Sequence, residues 1–453
     1  MTTSSKPDIH LGAFPLDVGH HIAAWRHPDV PADGGSSLDF YRRLAQTAER
    51  GKLDMIFFGD QMAAQYPDDE TVGRTSRVTR LEPTALLSAL AAATTRLGLV
   101  GTVSTSYFEP FHVARKFATL DRLSEGRSGW NVVTSFNDRE AQNFNQGEVR
   151  THAERYERAH EFVDVVQALW DSWEDDAFLR DKASGLFFDP AKLHVLDHRG
   201  KYFSARGPLN IPRSPQGQPV IVQAGSSEDG RGFAAERAEV VFTAQPSLAA
   251  ARGFYADVKA RAERAGRDPG HVKIMPGAMT FIGASEAEAR EKYEQLQSLI
   301  DPEVGWIVLR RHLGIDVSGL DPDAPFPDLP LTPDFPSRQK LLIEMALSEK
   351  LTVRQFYERV VGARGHLLAI GTAAQVADQF EAWVDGGGAD GFNLMLPWLP
   401  AALDDVVDLL VPELRRRGRF RHEYQGSTLR SHLGLPVPSN RHVQSSAQPV
   451  AQA

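Results

Sequence analysis

Short apolar runs alternate with amphipathic stretches along almost the whole chain. The apolar runs fall at 9–14, 54–59, 97–104, 129–135, 219–225, 240–245, 274–282 and 391–397. Most are continuous rather than alternating, as expected of strands covered on both faces. Helical patterns fill the intervals, at 38–50, 83–94, 110–123, 152–173, 230–238, 248–265, 286–300, 373–385 and 403–417. There the apolar positions recur at three and four residues. Eight strand-plus-helix units predict an α/β protein, a (β/α)8 TIM barrel, with a doubly wound open sheet as the alternative.

Three stretches exceed what short connections need and read as insertions, at about 61–82, 174–218 and 301–349. The second contains an expected hairpin at 192–203. The third is rich in Pro and Asp over 301–337, expected to be structureless, and ends in a helix at 338–349. So long a connection inside a compact domain is usually functional. It reads either as a lid over an active site or as a solvated excursion that serves oligomer contacts. A single domain is expected over 1–436, and the Ser/Gln/Pro-rich end, 437–453, is expected to be a disordered tail.

Composition removes several function classes. The formal net charge of −9 is spread along the chain and argues against a nucleic-acid partner. There are no cysteines, so disulfides, thiolate metal sites and a cysteine nucleophile are excluded. His194 and His198 have a tolerable ligand spacing but no accompanying carboxylate set, and no metal site is expected. The start of the chain lacks an apolar signal core and no run reaches membrane length, so a cytoplasmic protein with no membrane partner is expected. HExxH, Gly-x-Ser-x-Gly and GxGxxG motifs are missing, which weakens hydrolase and Rossmann readings.

The chemistry-bearing residues sit where strands should end. Residues 219–235 run from an apolar strand through Gly225-Ser226-Ser227 into a helix. Such a loop places free backbone N–H groups, helix-dipole charge and hydroxyls around an anion. It suits a phosphate-bearing ligand, or it is a capped helix after a buried strand. His152 and Tyr156 share one helical face in the first turns of the 152–173 helix and can join the same clamp. Asp60 follows the second strand and either accepts a hydrogen bond from a ligand or caps its loop. His20 and His21 follow the first strand, where histidine is the usual acid/base near neutral pH.

Several stretches together carry a resemblance. They include Ala24-Trp25-Arg26-His27-Pro28, Ala118-Thr119-Leu120-Asp121-Arg122-Leu123-Ser124, Trp130-Asn131-Val132-Val133-Thr134-Ser135 and His152-Ala153-Glu154-Arg155-Tyr156. Leu169 to Ala177, Gly207-Pro208-Leu209-Asn210, Pro219 to Ser227 and Ala389-Asp390-Gly391-Phe392-Asn393 belong with them. From Ile9 to about Pro436 the chain resembles the luciferase-like flavin-dependent monooxygenases, in the branch of nitrilotriacetate, long-chain alkane and dibenzothiophene-sulfone monooxygenases. The resemblance implies a barrel that binds FMN, as FMNH2, at its top. A separate NAD(P)H:flavin reductase would supply FMNH2, and O2 would give one oxygen atom to a small organic substrate and the other to water. It implies Asp60, Thr102, Ser104, Asn131, His152, Tyr156, Ser226 and Ser227 as cofactor-binding residues. It implies His20 as catalytic, with His312 in Arg311-His312-Leu313-Gly314-Ile315-Asp316 as a second active-site histidine. A homodimer or homotetramer is expected.

For the substrate, 421–436 and Asp301-Pro302-Glu303-Val304-Gly305 resemble the sulfone enzymes most. The bulky residues Phe57, Tyr66, Tyr107, Phe108, Phe136 and Trp398 point to a hydrophobic or aromatic compound, an organosulfur or other xenobiotic. They read equally as barrel core. The alternatives are an oxidoreductase of the same barrel that uses the deazaflavin F420, and a flavin-binding protein without turnover.

Overall fold

The computed structural model describes residues 8–64, 72–145, 148–317, 319–331, 336–363 and 365–443. Nine parallel strands form one sheet: β1 (His10–Phe14), β2 (Met55–Phe58), β3 (Gly98–Ser104), β4 (Ser128–Val133), β5 (Val220–Gln223), β6 (Val240–Thr243), β7 (Lys273–Gly283), β8 (Leu367–Thr372) and β9 (Gly391–Met395). Eight of them close in the order β1-β2-β3-β4-β5-β6-β7-β9 and back to β1. These are the eight apolar runs, so the closed (β/α)8 barrel stands and the open sheet does not. Seven of the eight are buried at nearly every position, because helices cover them outside and the bore is filled inside.

Helices separate the strands: α1 (Leu38–Arg50), α2 (Pro83–Ala91), α3 (Pro110–Leu123), α4 (His152–Trp170), α5 (Glu228–Arg237), α6 (Leu248–Arg264), α7 (Glu286–Ser298), α8 (Pro302–Leu313), α9 (Pro336–Ser348), α10 (Val353–Ala363) and α11 (Ala373–Asp385). A further helical stretch, 401–416, has a π turn at Val406–Leu410. Local chemistry starts these helices. Ser37, Thr151, Ser227, Ser247, Ser285 and Thr372 each accept a first-turn N–H. Proline opens α2, α3 and α8. The outer core, between strands and helices, is built on Trp130, Phe117, Phe162 and Trp170.

The bore is filled by Met55, Phe57, Val100, Val220, Val222, Val240 and Met275. Leu429, Leu433 and Leu435 close this core at the strand-entry end. The 421–436 stretch is therefore a floor plug, and its likeness to the sulfone enzymes reports barrel closure rather than a substrate pocket.

The ninth strand, β8, is missing from the expected set. Among the described residues it pairs with β7 alone, and its exposure alternates because one face is open. The 301–337 segment is not structureless. Helix α8 occupies its first third, and α8, α9 and α10 share a core of Leu309, Leu313, Phe326, Leu342, Ile343, Phe356 and Val360. Strand pairing in the 174–218 insertion joins His198–Arg199 to Ser204–Ala205, several residues later than expected, because Pro190–Lys192 forms a 3-10 turn. His194 and His198 bind Glu174 (2.9 Å) and Glu161 (3.1 Å) separately.

Residues 437–443 are not a loose tail. Asn440 donates to the carbonyl oxygens of Asp171 (3.2 Å) and Trp173 (2.8 Å), and the Pro438 carbonyl accepts from Arg213 (2.6 Å). The rest of the expected tail, 444–453, lies outside the described residues. Among the described residues no helix is long and apolar enough to cross a membrane, and no group of three His, Cys, Asp or Glu could hold a metal ion.

Candidate functional site

The strand-exit rim of the barrel gathers nearly all of the expected residues. On one side, β5 leads through Ala224, Gly225, Ser226 and Ser227 into α5, and α4 begins beside it at His152. Two helix N-termini thus meet. Ser227 caps α5, accepting from Gly230 N–H at 3.1 Å. His152 Nε2 lies 3.4 Å from Ser227 Oγ, and its Nδ1 lies 2.8 Å from Asp229 Oδ2. Tyr156, one turn further along α4, packs its ring 4.9 Å from that of His152. Ser226 is exposed on the loop.

The loop itself is shaped by what it lacks. A Cβ on Gly225 would stand 2.4 Å from Gln223 Nε2 and 3.0 Å from Tyr156 Oη, so only glycine keeps this cleft open. Gln223 Oε1 is buried beneath it without a hydrogen-bond partner.

Beside β5 on the same wall, β4 and its neighbour β3 present a polar layer. Thr102 Oγ1 donates to the Phe58 carbonyl (2.8 Å) and accepts from Asn131 Nδ2 (2.8 Å). That bond fixes the Asn131 amide and leaves its Oδ1 buried with no partner. Ser104 Oγ accepts from Ser135 (2.9 Å) and from Ser106 N–H (3.1 Å). The Thr102 hydroxyl is used both as donor and as acceptor, whereas the Ser104 oxygen accepts in both of its bonds. Asn393 on β9 is buried with both amide atoms unpartnered. Buried polar atoms normally find partners, and a polar ligand would complete these three amides; Arg419, Arg421 and His432 at the strand-entry end carry unpartnered atoms as well.

Asp60 stands just beyond β2. Burial pushes its carboxyl up to about 6. The Gln61 N–H (2.8 Å) and Arg80 oppose the shift, while Glu82 and Glu140 add to it.

His20 is fully buried at the mouth of the bore. Its Nε2–H donates to the Phe14 carbonyl (2.8 Å), and the ring meets Phe14 edge-on at 4.5 Å. Arg77, buried in the 61–82 insertion, donates to the His20 carbonyl. His21 turns away to Gln297 (3.3 Å). His312 lies on α8, and its side chain is outside the described residues.

The bulky residues do not form one pocket. Phe57 belongs to the bore core. Tyr107 and Phe108 pack on Phe144, Trp398 is buried against His27 and Phe281, and Phe136 is 69% exposed. Tyr66 lies outside the described residues. The aromatic surface at the bore mouth comes instead from Phe14 and Phe242, whose rings meet at 5.5 Å.

Arg77 and His366 are residues of this rim that the sequence reading passed over. Arg77 lies in a polar insertion with no pattern. His366 is one of fifteen histidines, and nothing in its neighbourhood tells which of them enters the bore.

Comparison with known proteins gives one consistent picture. The family model described as luciferase-like monooxygenase matches residues 19–390. The chain is 51% identical to the N-acetyl-S-(2-succino)cysteine monooxygenase of Bacillus subtilis (strain 168), covering 97% of this chain and 99% of that protein. It is 47% identical to nitrilotriacetate monooxygenase component A of Aminobacter aminovorans, covering 96% and 98%. The crystal structure of a riboflavin lyase, with modified FMN and riboflavin, superposes with a TM-score of 0.83 at 32% identity, covering 95% of this chain and 97% of that one.

Proposed function

The chain belongs to the luciferase-like monooxygenase family, and from that premise we propose that it is the oxygenating component of a two-component FMN-dependent system. Its substrate is an organosulfur compound, a thioether bearing carboxylates of the N-acetyl-S-(2-succino)cysteine type. FMNH2 comes from a separate NAD(P)H:flavin reductase, O2 is the co-substrate, and the working form is a homodimer or homotetramer. The observation that carries this reading is the 51% identity across 97% of the chain to an enzyme named for that substrate. It moves the organosulfur expectation from sulfone to thioether.

The rim fits the cofactor. The cleft over Gly225, between two helix N-termini, has the donors a phosphate requires: His152, Tyr156, Ser226, Ser227 and backbone N–H groups. The unpartnered Asn131 Oδ1 suits a ring N–H, and Asp60 suits a ring N–H or a ribityl hydroxyl. When bound, the reduced flavin supplies the electrons that activate O2. The protein's part is to hold the flavin by its phosphate, orient the ring through Asn131 and Asp60, and keep water out with the bore aromatics. In this reading His20 is the residue that exchanges a proton at the substrate.

The test supplies FMNH2 through a generic flavin reductase and follows product by mass. N-acetyl-S-(2-succino)cysteine, nitrilotriacetate, dibenzothiophene sulfone and a long alkane are offered in parallel. Product from the thioether supports the reading, and product from the sulfone or alkane alone overturns its substrate. His20→Ala should bind FMN within about threefold of wild type and lose product by a hundredfold or more, in line with removal of an acid/base group. Hydride transfer with reduced deazaflavin and no oxygen uptake with FMNH2 would replace the reading with the deazaflavin alternative.

A further inference from the structure

The unassigned histidine at the rim is delivered by β8. Strand β6 is short, and its last residue, Thr243, pairs with Pro276 of β7. Two residues further along the same edge of β7, Ala278 pairs with Leu367. The wall that β6 abandons is thus continued by β8. The residue before Leu367, His366, falls opposite Gly277, level with Asn393, which pairs with Gly277 from the other edge.

His366 is 7% exposed. Its imidazole lies face to face on Phe242, with centroids 5.3 Å apart and planes 21° from parallel. Phe242 meets Phe14, and Phe14 carries His20. Two histidines therefore flank a pair of half-buried phenyl rings at the bore mouth. The place for the second is reserved by a glycine. A Cβ on Gly277 would stand 2.4 Å from His366 Nδ1 and 2.8 Å from Met395 Sδ.

Resting on the thioether reading above, we propose that His366 is a substrate-binding residue: its imidazole hydrogen-bonds a carboxylate of the substrate seated over Phe14 and Phe242, and so selects carboxylate-bearing compounds. Gly277 makes this possible by leaving the ring its room.

The experiment uses the full-length enzyme with FMN and a flavin reductase, and compares N-acetyl-S-(2-succino)cysteine with its fully esterified form. Binding of both to the oxidised holoenzyme is also measured by calorimetry, independent of turnover. His366→Ala should raise KM and Kd for the free acid about tenfold to a hundredfold, the worth of a hydrogen bond to a charged group. FMN affinity should not move, and the ester should not distinguish variant from wild type. His366→Gln, which keeps a donor, should recover part of the loss. Gly277→Ala should reproduce the loss with His366 still present, because the new methyl displaces the ring.

Each outcome decides something. An unchanged KM and Kd for the free acid in His366→Ala overturns the assignment while the functional reading stands. Equal losses for acid and ester, or a matching loss of FMN affinity, show a packing role and overturn it too. Wild type that binds the acid but does not oxygenate it, with binding lost in His366→Ala, keeps the assignment and removes the functional reading. Wild type that neither binds nor oxygenates the acid overturns both.

Discussion

Strand β2 carries an aspartate at each end, and the barrel treats the two in opposite ways. Asp54, at the entrance, is fully buried on the floor. Burial alone would raise its carboxyl, yet Arg421, His10 (3.1 Å) and the Leu11 N–H (2.7 Å) hold it well below the usual carboxylate range. Asp60, at the exit, has one backbone N–H and Arg80 against two further carboxylates, and sits at about 6. On the floor Arg430 grips Glu239 (3.0 Å), Arg419 meets Asp385 (2.8 Å), and Asp121 accepts from Ser128 N–H (2.8 Å) and Gln216 (2.8 Å). At the rim the amides of Asn131, Gln223 and Asn393 hold buried atoms without partners. Buried atoms without partners occur on the floor too, on Arg419, Arg421 and His432, so the two ends differ in their aspartates: Asp54 is held by counter-charges, and Asp60 stands among further carboxylates.

The largest break in this contrast is at the floor. Arg421→Ala leaves the Asp54 carboxylate buried without its main counter-charge. It should cost about 3–5 kcal/mol of unfolding free energy at pH 7, the range for a broken buried pair. Urea denaturation measures it. Because Asp54 has a lowered folded pKa, its contribution is present above the unfolded value and is lost as pH falls below it. The wild type should therefore lose this share under acid conditions, and the variant, having lost it already, should show a shallower acid dependence. A cost below about 1 kcal/mol would mean that the floor pair is no more than a surface bridge.

The floor is also where local sequence pattern says least. The eight barrel strands were legible because each is a compact apolar run, and the rim residues were legible because strand ends are read from the same runs. His152, Ser227 and Asp60 needed no knowledge of distant contacts. Asp54 and Arg421 are 367 positions apart, and Glu239 and Arg430 are 191. No periodicity connects them, so 421–436 looked like a substrate signature when it is a plug. His366 was missed for the same reason: its platform, Phe242, is remote in sequence and β8 is an open-faced strand. The α8–α10 core went unseen because Pro and Asp dominate the stretch that starts and caps it.

A smaller effect separates a cap from a ligand contact. Ser227 and Ser247 do the same local work, each accepting from a first-turn N–H, at 3.1 and 3.3 Å. Either Ser→Ala change should cost about 1 kcal/mol of stability. Ser227 alone faces His152 over the Gly225 cleft. Ser227→Ala should therefore also weaken FMN by about tenfold, as expected for a lost hydrogen bond to a charged group, and leave riboflavin binding untouched, whereas Ser247→Ala should change neither. Fluorescence titration with both flavins reads this. Equal loss of FMN and riboflavin in Ser227→Ala would place the phosphate elsewhere on the rim.

The smallest effect is a pH dependence at Asp60. Its carboxyl titrates near 6, so between about pH 5 and 7.5 it passes from a neutral group to an anion that only accepts hydrogen bonds. An acceptor for a ring N–H or ribityl hydroxyl is stronger as the anion, so flavin affinity should rise with pH through this window, by about threefold to tenfold. The flavin phosphate has a second ionisation near 6 as well and would confuse the measurement with FMN. Riboflavin, which lacks it, isolates the carboxyl. Asp60→Asn should flatten the riboflavin curve and lower affinity at pH 7.5. The sign for folding is opposite. A raised folded pKa means the stability contribution is full below the unfolded value and lost as pH climbs through about 6, so Asp60→Asn should be more stable than wild type at pH 7.5 and lose that advantage toward pH 4. A variant that binds riboflavin as wild type does at every pH would confine Asp60 to its loop, and the rim's unspent polarity would then rest on Asn131 and Asn393.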